Sequence, residues 1–139
     1  MKLSVQSLVG ALAAIAFPLQ LAAKTPMGPE VPVRVGAQSE LNACTSIGHG
    51  KAALTVRAAP SASARATAKL DSTHLVWICE QRGGAKWYGI VYGAAALSHE
   101  ENGIPPACGV SEPLNKPKAY RGPCNSGWIP SAAVEMIAG

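Results

Sequence analysis

Apolar and polar positions alternate most cleanly at residues 53–57, where Leu54 and Val56 are apolar and Thr55 and Arg57 are polar. That pattern predicts a strand with one dry face and one wet face. Pro60 ends it, because proline cannot donate to a ladder. Residues 61–67 read as a small polar loop, apolar content restarts at Leu70, and Asp71, Ser72 and Thr73 turn the chain. Residues 74–80 are rich in strand formers, residues 81–86 carry Gly83 and Gly84, and residues 87–92 are aromatic and apolar again. This is the pattern of a β-hairpin. Gly127, Trp128 and Ile129 with Pro130 predict another short strand, and residues 131–137 a single helical turn followed by a last strand.

Two regions break the regularity. Residues 24–38 hold Pro26, Pro29 and Pro32 and read as an extended arm, with ordered structure expected to begin between Glu40 and Cys44. Val31, Val33 and Val35 alternate, which allows a short edge strand there. Residues 93–123 have no sustained period and include Pro105, Pro106, Glu100, Glu101, Lys116 and Lys118. A structureless loop of that length inside a domain is expected only where it is functional or tied down. No repeat and no long amphipathic helix is visible, so the expected class is all-β, built from short antiparallel strands with glycine and proline punctuation.

The first residues change the picture of where the protein works. Lys2 precedes a nearly apolar stretch, residues 3–23, with Pro18 near its end and Ala22 and Ala23 before Lys24. This is the layout of a secretory signal peptide, residues 1–23, with cleavage expected after Ala23 and no stable membrane span afterwards. A retained anchor is disfavoured by Pro18, Gln20 and the single Lys before the apolar run. The formal charge of +4 falls by one with loss of Lys2, a mild basic excess with none of the Lys/Arg clustering of a nucleic-acid binder.

Four cysteines, Cys44, Cys79, Cys108 and Cys124, in an exported chain read as two disulfides. The spacing contains no C-x-x-C pair, which argues against zinc, and no metal or other cofactor is expected. Four cysteines allow three pairings. Cys108 with Cys124 would tether the irregular segment, and Cys44 with Cys79 would pin the chain entering the domain to the long strand; these are the pairs expected. The first would close a loop of about 15 residues, worth roughly 3 kcal/mol in the chain-entropy model.

The ordered series Leu54 to Arg57, Pro60 and Ser61, Leu70, Leu75 to Cys79, Trp87 and Tyr88 with Ile90, and Gly127, Trp128 and Ile129 resembles bacterial SH3-like (SH3b) domains. The resemblance covers roughly residues 52–137. It implies a small SH3-like barrel in residues 44–139, preceded by the arm at 24–43, with residues 93–123 as a disulfide-tethered insertion. The departures are Ala59, where the family often has Gly, and the some thirty residues separating the aromatic strand from Gly127 and Trp128. The family's members look like non-catalytic modules of envelope and secreted proteins that bind cell-wall material or peptides. Fold alone does not fix function.

Trp87, Tyr88, Tyr92 and Trp128 are the candidate binding residues, because aromatics with a polar tip suit a peptide or glycan groove. On a strand Trp87 and Tyr88 must face opposite sides, so one is expected in the core. His49, His74 and His99 are widely spaced and read as loop and surface residues. No serine lies in a G-x-S-x-G context, and no paired carboxylates stand out. The expected function is therefore a periplasmic or secreted, non-catalytic module that binds cell-wall peptide or an envelope protein. An inhibitor that presents the 93–123 loop is the alternative. A small hydrolase has only its size in its favour. Ligand identity and oligomeric state are not written in the sequence.

Overall fold

Side-chain alternation decides which residues of this protein meet. The structure is a computed structural model and describes residues 10, 13–15, 29–36, 44, 46–94 and 108–139. The leader read at residues 1–23 and its cleavage point lie almost wholly outside the described residues, as do residues 95–107 of the insertion. The described strands are β1 (Arg34–Val35), β2 (Ser46–Gly50), β3 (Leu54–Arg57), β4 (Ala66–Leu70), β5 (Val76–Arg82), β6 (Trp87–Tyr92), β7 (Lys118–Ala119), β8 (Asn125–Pro130) and β9 (Val134–Ala138), with a 3-10 turn at Ser131–Ala133 before β9. Seven of them form one antiparallel sheet in the order β4-β3-β8-β6-β5-β2-β9, and β1 pairs with β7 separately. The fold is small and all-β as expected. Its ladder is open, with β4 and β9 as the two edges.

The hairpin β5–β6 is present as expected, with β6 on the expected residues and β5 displaced two residues later, to 76–82, and it turns through Gly83, Gly84 and Ala85, all at positive φ. The glycines suit that conformation, which costs a side-chain-bearing residue such as Ala85 roughly 1–2 kcal/mol. The turn at 131–133 and the last strand also fall where the pattern put them. β2 was not foreseen. Ile47 is its one strand former, among glycines and His49, and it is held by β5 on one side and β9 on the other.

The middle of the sheet is dry on both faces, while the edge strands β4 and β9 are mostly exposed. One face carries Leu54, Val56, Val76, Ile78, Ile90, Tyr92, Ile129 and Val134 as one core cluster. The other carries Ile47, Trp77, Cys79, Val91 and Trp128, and these pack with Val33, Val35, Cys44, Cys108 and Val110 as a second cluster. Burial on two faces explains why Val76, Trp77, Ile78 and Cys79 are consecutive apolar residues rather than an alternation.

The second face is covered by the arm and by the end of the insertion. Val33 and Val35 are buried, so the arm is extended but also packed, and ordered packing begins well before Glu40. Its backbone is tied at each step. Val31 N–H donates to the Ala58 carbonyl at 2.8 Å, and Tyr120 N–H donates to the Val33 carbonyl at 2.7 Å. Cys108 and Val110 are equally buried, and Cys44 N–H donates to the Val110 carbonyl at 2.8 Å. The described end of the insertion is thus part of the core. Its apolar residues are few, but they are the ones that close the second face. The disulfides are Cys44–Cys79 and Cys108–Cys124, with Cα atoms 4.6 and 5.5 Å apart, the expected pairing. All described cysteines are paired, which fits an oxidising, extracytoplasmic compartment.

Candidate functional site

The four aromatic candidates divide by depth. Trp128 is fully buried and Tyr92 nearly so. Trp128 has no surface to offer a ligand; its indole N–H donates to the Val31 carbonyl at 2.7 Å. Tyr92 meets the ring of His74 edge-on at 5.6 Å, and burial holds its phenol above the ordinary value of 10.0. These two are therefore packing residues. Trp87 and Tyr88 are half-buried and do face opposite sides, Trp87 against the second cluster and Tyr88 against the first. They remain available at the surface but are not brought together. His74, expected at the surface, is buried, and its Nε2–H donates to the Gly93 carbonyl at 2.7 Å. His49 lies on β2, and His99 is outside the described residues. Among the described residues no group of three or more His, Cys, Asp or Glu side chains could hold a metal ion.

A different group of residues is built into a surface feature. The register of β5 against β6 shifts between Ile78 and Glu80, so Cys79 is bulged. A bulge places two consecutive residues on one side of the ladder. Cys79 and Glu80 consequently both turn to the second face, where a regular strand would have sent Glu80 to the other core. Gly89, opposite Glu80, leaves room for this: a Cβ there would lie 3.0 Å from Val33, 3.1 Å from Glu80 and 3.2 Å from Trp128.

Glu80 is only 5% exposed, and both of its oxygens are used. Oε2 accepts the backbone N–H of Arg34 at 2.8 Å, and Oε1 accepts Nε–H of Arg82 at 2.6 Å. The Arg82 guanidinium lies 5.2 Å from the centre of the Trp128 ring, within cation–π range. The Arg34 guanidinium donates to the Pro117 carbonyl at 3.3 Å. One buried carboxylate thus anchors the arm and holds an arginine, while two guanidiniums border the same place.

A hollow of about 380 Å³ opens there, lined by Val31, Pro32, Arg34, Arg82 and Ala119. Beside the short β1–β7 ladder lies a second, more apolar hollow of about 300 Å³, whose lining includes Val35, Leu114, Lys118, Tyr120, Arg121 and Pro123. Ala119 belongs to both. Sequence reasoning missed Glu80, Arg34 and Arg82. The one available signal was a carboxylate inside a run of strand formers, and its orientation depends on a bulge that no local pattern announces. Among the described residues no helix is long and apolar enough to cross a membrane. No family model, curated protein or solved structure matches the chain.

Proposed function

We propose that this protein is an exported, non-catalytic binding module with an SH3-like fold, recognising cell-wall peptide or an envelope protein partner in the periplasm or outside the cell. The observation that carries the reading is the order of elements. Leu54 to Arg57 is β3, Pro60 and Ser61 lie in the turn after it, and Leu70 ends β4. Residues 76–79 lie in β5, Trp87, Tyr88 and Ile90 in β6, and Gly127 to Ile129 in β8. Five of the six segments thus fall in chain order on strands of a single sheet, β3, β4, β5, β6 and β8, and the sixth, Pro60 and Ser61, lies in the turn after β3. Two disulfides and the mild basic charge of the chain agree with work in an oxidising compartment near anionic material.

The experiment is co-sedimentation of the protein, starting at Lys24, with purified sacculi, alongside capture from an envelope extract with identification by mass spectrometry. Saturable pelleting with sacculi, or recovery of one stoichiometric envelope protein, is expected. Absence of both, or hydrolysis of the wall material during incubation, would remove the reading.

A further inference from the structure

We propose that the hollow between Arg34 and Arg82 is a carboxylate-recognition site, and that the module holds a short peptide through a carboxylate on it. The inference rests on the binding-module reading and names the chemistry of its ligand. Three features of the hollow carry it.

The first is charge. Glu80 is the one carboxylate that the described structure sets against these arginines, and it offsets only one of the two positive charges. It spends Oε2 on the backbone of Arg34 rather than on its guanidinium, so that side chain is left to a neutral carbonyl, Pro117. The hollow keeps a net positive charge, because Arg34 and Arg82 both line it and Glu80 is the single carboxylate set against them.

The second is preparation. Arg82 is fixed through Nε by Glu80 and backed by the Trp128 ring, which leaves its two terminal nitrogens for a ligand. A guanidinium held in one plane loses little rotamer freedom when it grips a planar carboxylate, and such pairs are often bidentate. The third is the company around it. Val31, Pro32 and Ala119 give the hollow small apolar walls, and its volume of about 380 Å³ is within the range of sites that take a small ligand. Small apolar residues beside a carboxylate fit that lining better than a phosphate or a bare inorganic anion.

The test uses the protein starting at Lys24, labelled with nitrogen-15, and three probes of defined chemistry: acetyl-Ala-Ala with a free carboxylate, acetyl-Glu-Ala amide, and acetyl-Ala-Ala amide. The first two carry the carboxylate at the chain end or on a side chain, so they separate its sources. Saturable shifts at the Arg82 Nε–H and at the backbone N–H groups of Arg34 and Ala119 are expected with either carboxylate probe and not with the neutral one. Arg34→Gln should weaken binding about tenfold, the loss of one charge-assisted contact. Because its backbone N–H to Glu80 is retained and only the exposed 3.3 Å contact to the Pro117 carbonyl is lost, its thermal midpoint should be nearly unchanged. Lys69→Gln, on the far edge strand, should leave binding as it was. Equal shifts with the neutral probe, shifts confined to other residues, or undiminished binding by Arg34→Gln would each overturn the proposal. Sacculus pelleting can fail while the carboxylate probes still bind, and that result would reject the wall-binding reading alone.

Discussion

Trp128 donates its indole N–H to the carbonyl of Val31, ninety-seven residues earlier in the chain, at 2.7 Å. This bond joins the centre of the sheet to the arm that covers it, and Trp128 itself is fully buried. Trp128→Phe removes the donor and leaves the part-buried Val31 carbonyl without its partner. The expected loss is about 2 kcal/mol, read from urea unfolding. In a chain beginning at residue 37 the carbonyl is gone, so the same substitution should cost measurably less. An equal cost in both backgrounds would mean that the indole N–H contributes nothing through the arm.

The disulfides make a second test. Cys108 and Cys44 belong to the same buried cluster, although one lies in the insertion and the other enters the sheet. Their bridges span 16 and 35 residues, worth roughly 3 and 4 kcal/mol by chain entropy. The Cys108→Ser/Cys124→Ser and Cys44→Ser/Cys79→Ser proteins should therefore both lose global stability by similar amounts. Each should melt in one transition seen alike by tryptophan fluorescence and circular dichroism. A variant lacking Cys108–Cys124 that keeps the full midpoint would show that the insertion is a detachable loop.

What the sequence made legible follows from where a pattern is local. Strand β3 advertises itself because Leu54 and Val56 point into one core while Thr55 and Arg57 do not. Hairpin β5–β6 is equally plain from its glycines and strand formers. The arm and the insertion were harder, since Val33, Val35, Cys108 and Val110 are isolated apolar residues among prolines and polar residues. They become core only because Trp77, Cys79 and Val91 form a dry second face for them. The consecutive apolar residues of β5 already carried that information, because a strand with one wet face would alternate. The site at Glu80 was beyond such reading. It depends on a one-residue shift of register and on a contact to Arg34 made forty-six positions away.

Glu80 gives a third prediction. Glu80→Gln keeps the shape of the side chain but removes the charge that faces Arg82 and one of the two acceptors. Arg82 is partly in water, with 39% of its side chain exposed, so the loss should be about 2 kcal/mol rather than that of a fully buried pair. The backbone N–H of Arg34 should exchange with solvent faster in the variant, because its acceptor is weakened. Unchanged exchange at Arg34 would mean that Glu80 does not anchor the arm.

The turn before β5 should respond to acid. Thr73 donates both its hydroxyl, at 2.6 Å, and its backbone N–H, at 2.9 Å, to Oδ1 of Asp71. These bonds, the hydroxyl first, hold the Asp71 carboxyl below its ordinary value of 3.8. A depressed folded value means that the turn contributes stability above the unfolded value and loses it as pH falls through the folded one. Thr73→Val removes the hydroxyl, so the titration of Asp71 followed by NMR should move up towards the ordinary range. A titration that does not move would mean that the Thr73 hydroxyl is not what lowers the Asp71 carboxyl.

Gly127 supplies the most specific test of packing. It lies on β8 where β3 crosses close by, and a Cβ built on it would stand 2.3 Å from Cγ1 of Val56 and 3.1 Å from the Arg57 carbonyl. Val56 is fully buried and cannot swing away. Gly127→Ala should therefore destabilise by overpacking, about 1–3 kcal/mol, despite adding only one carbon. Val56→Ala alone should also destabilise, by leaving a cavity. The two together should cost less than the sum of the single changes, because the carbon added at 127 occupies space vacated at 56. Simple additivity in the double variant would mean that the two residues do not share that space, and the close approach of β3 to β8 would need another explanation.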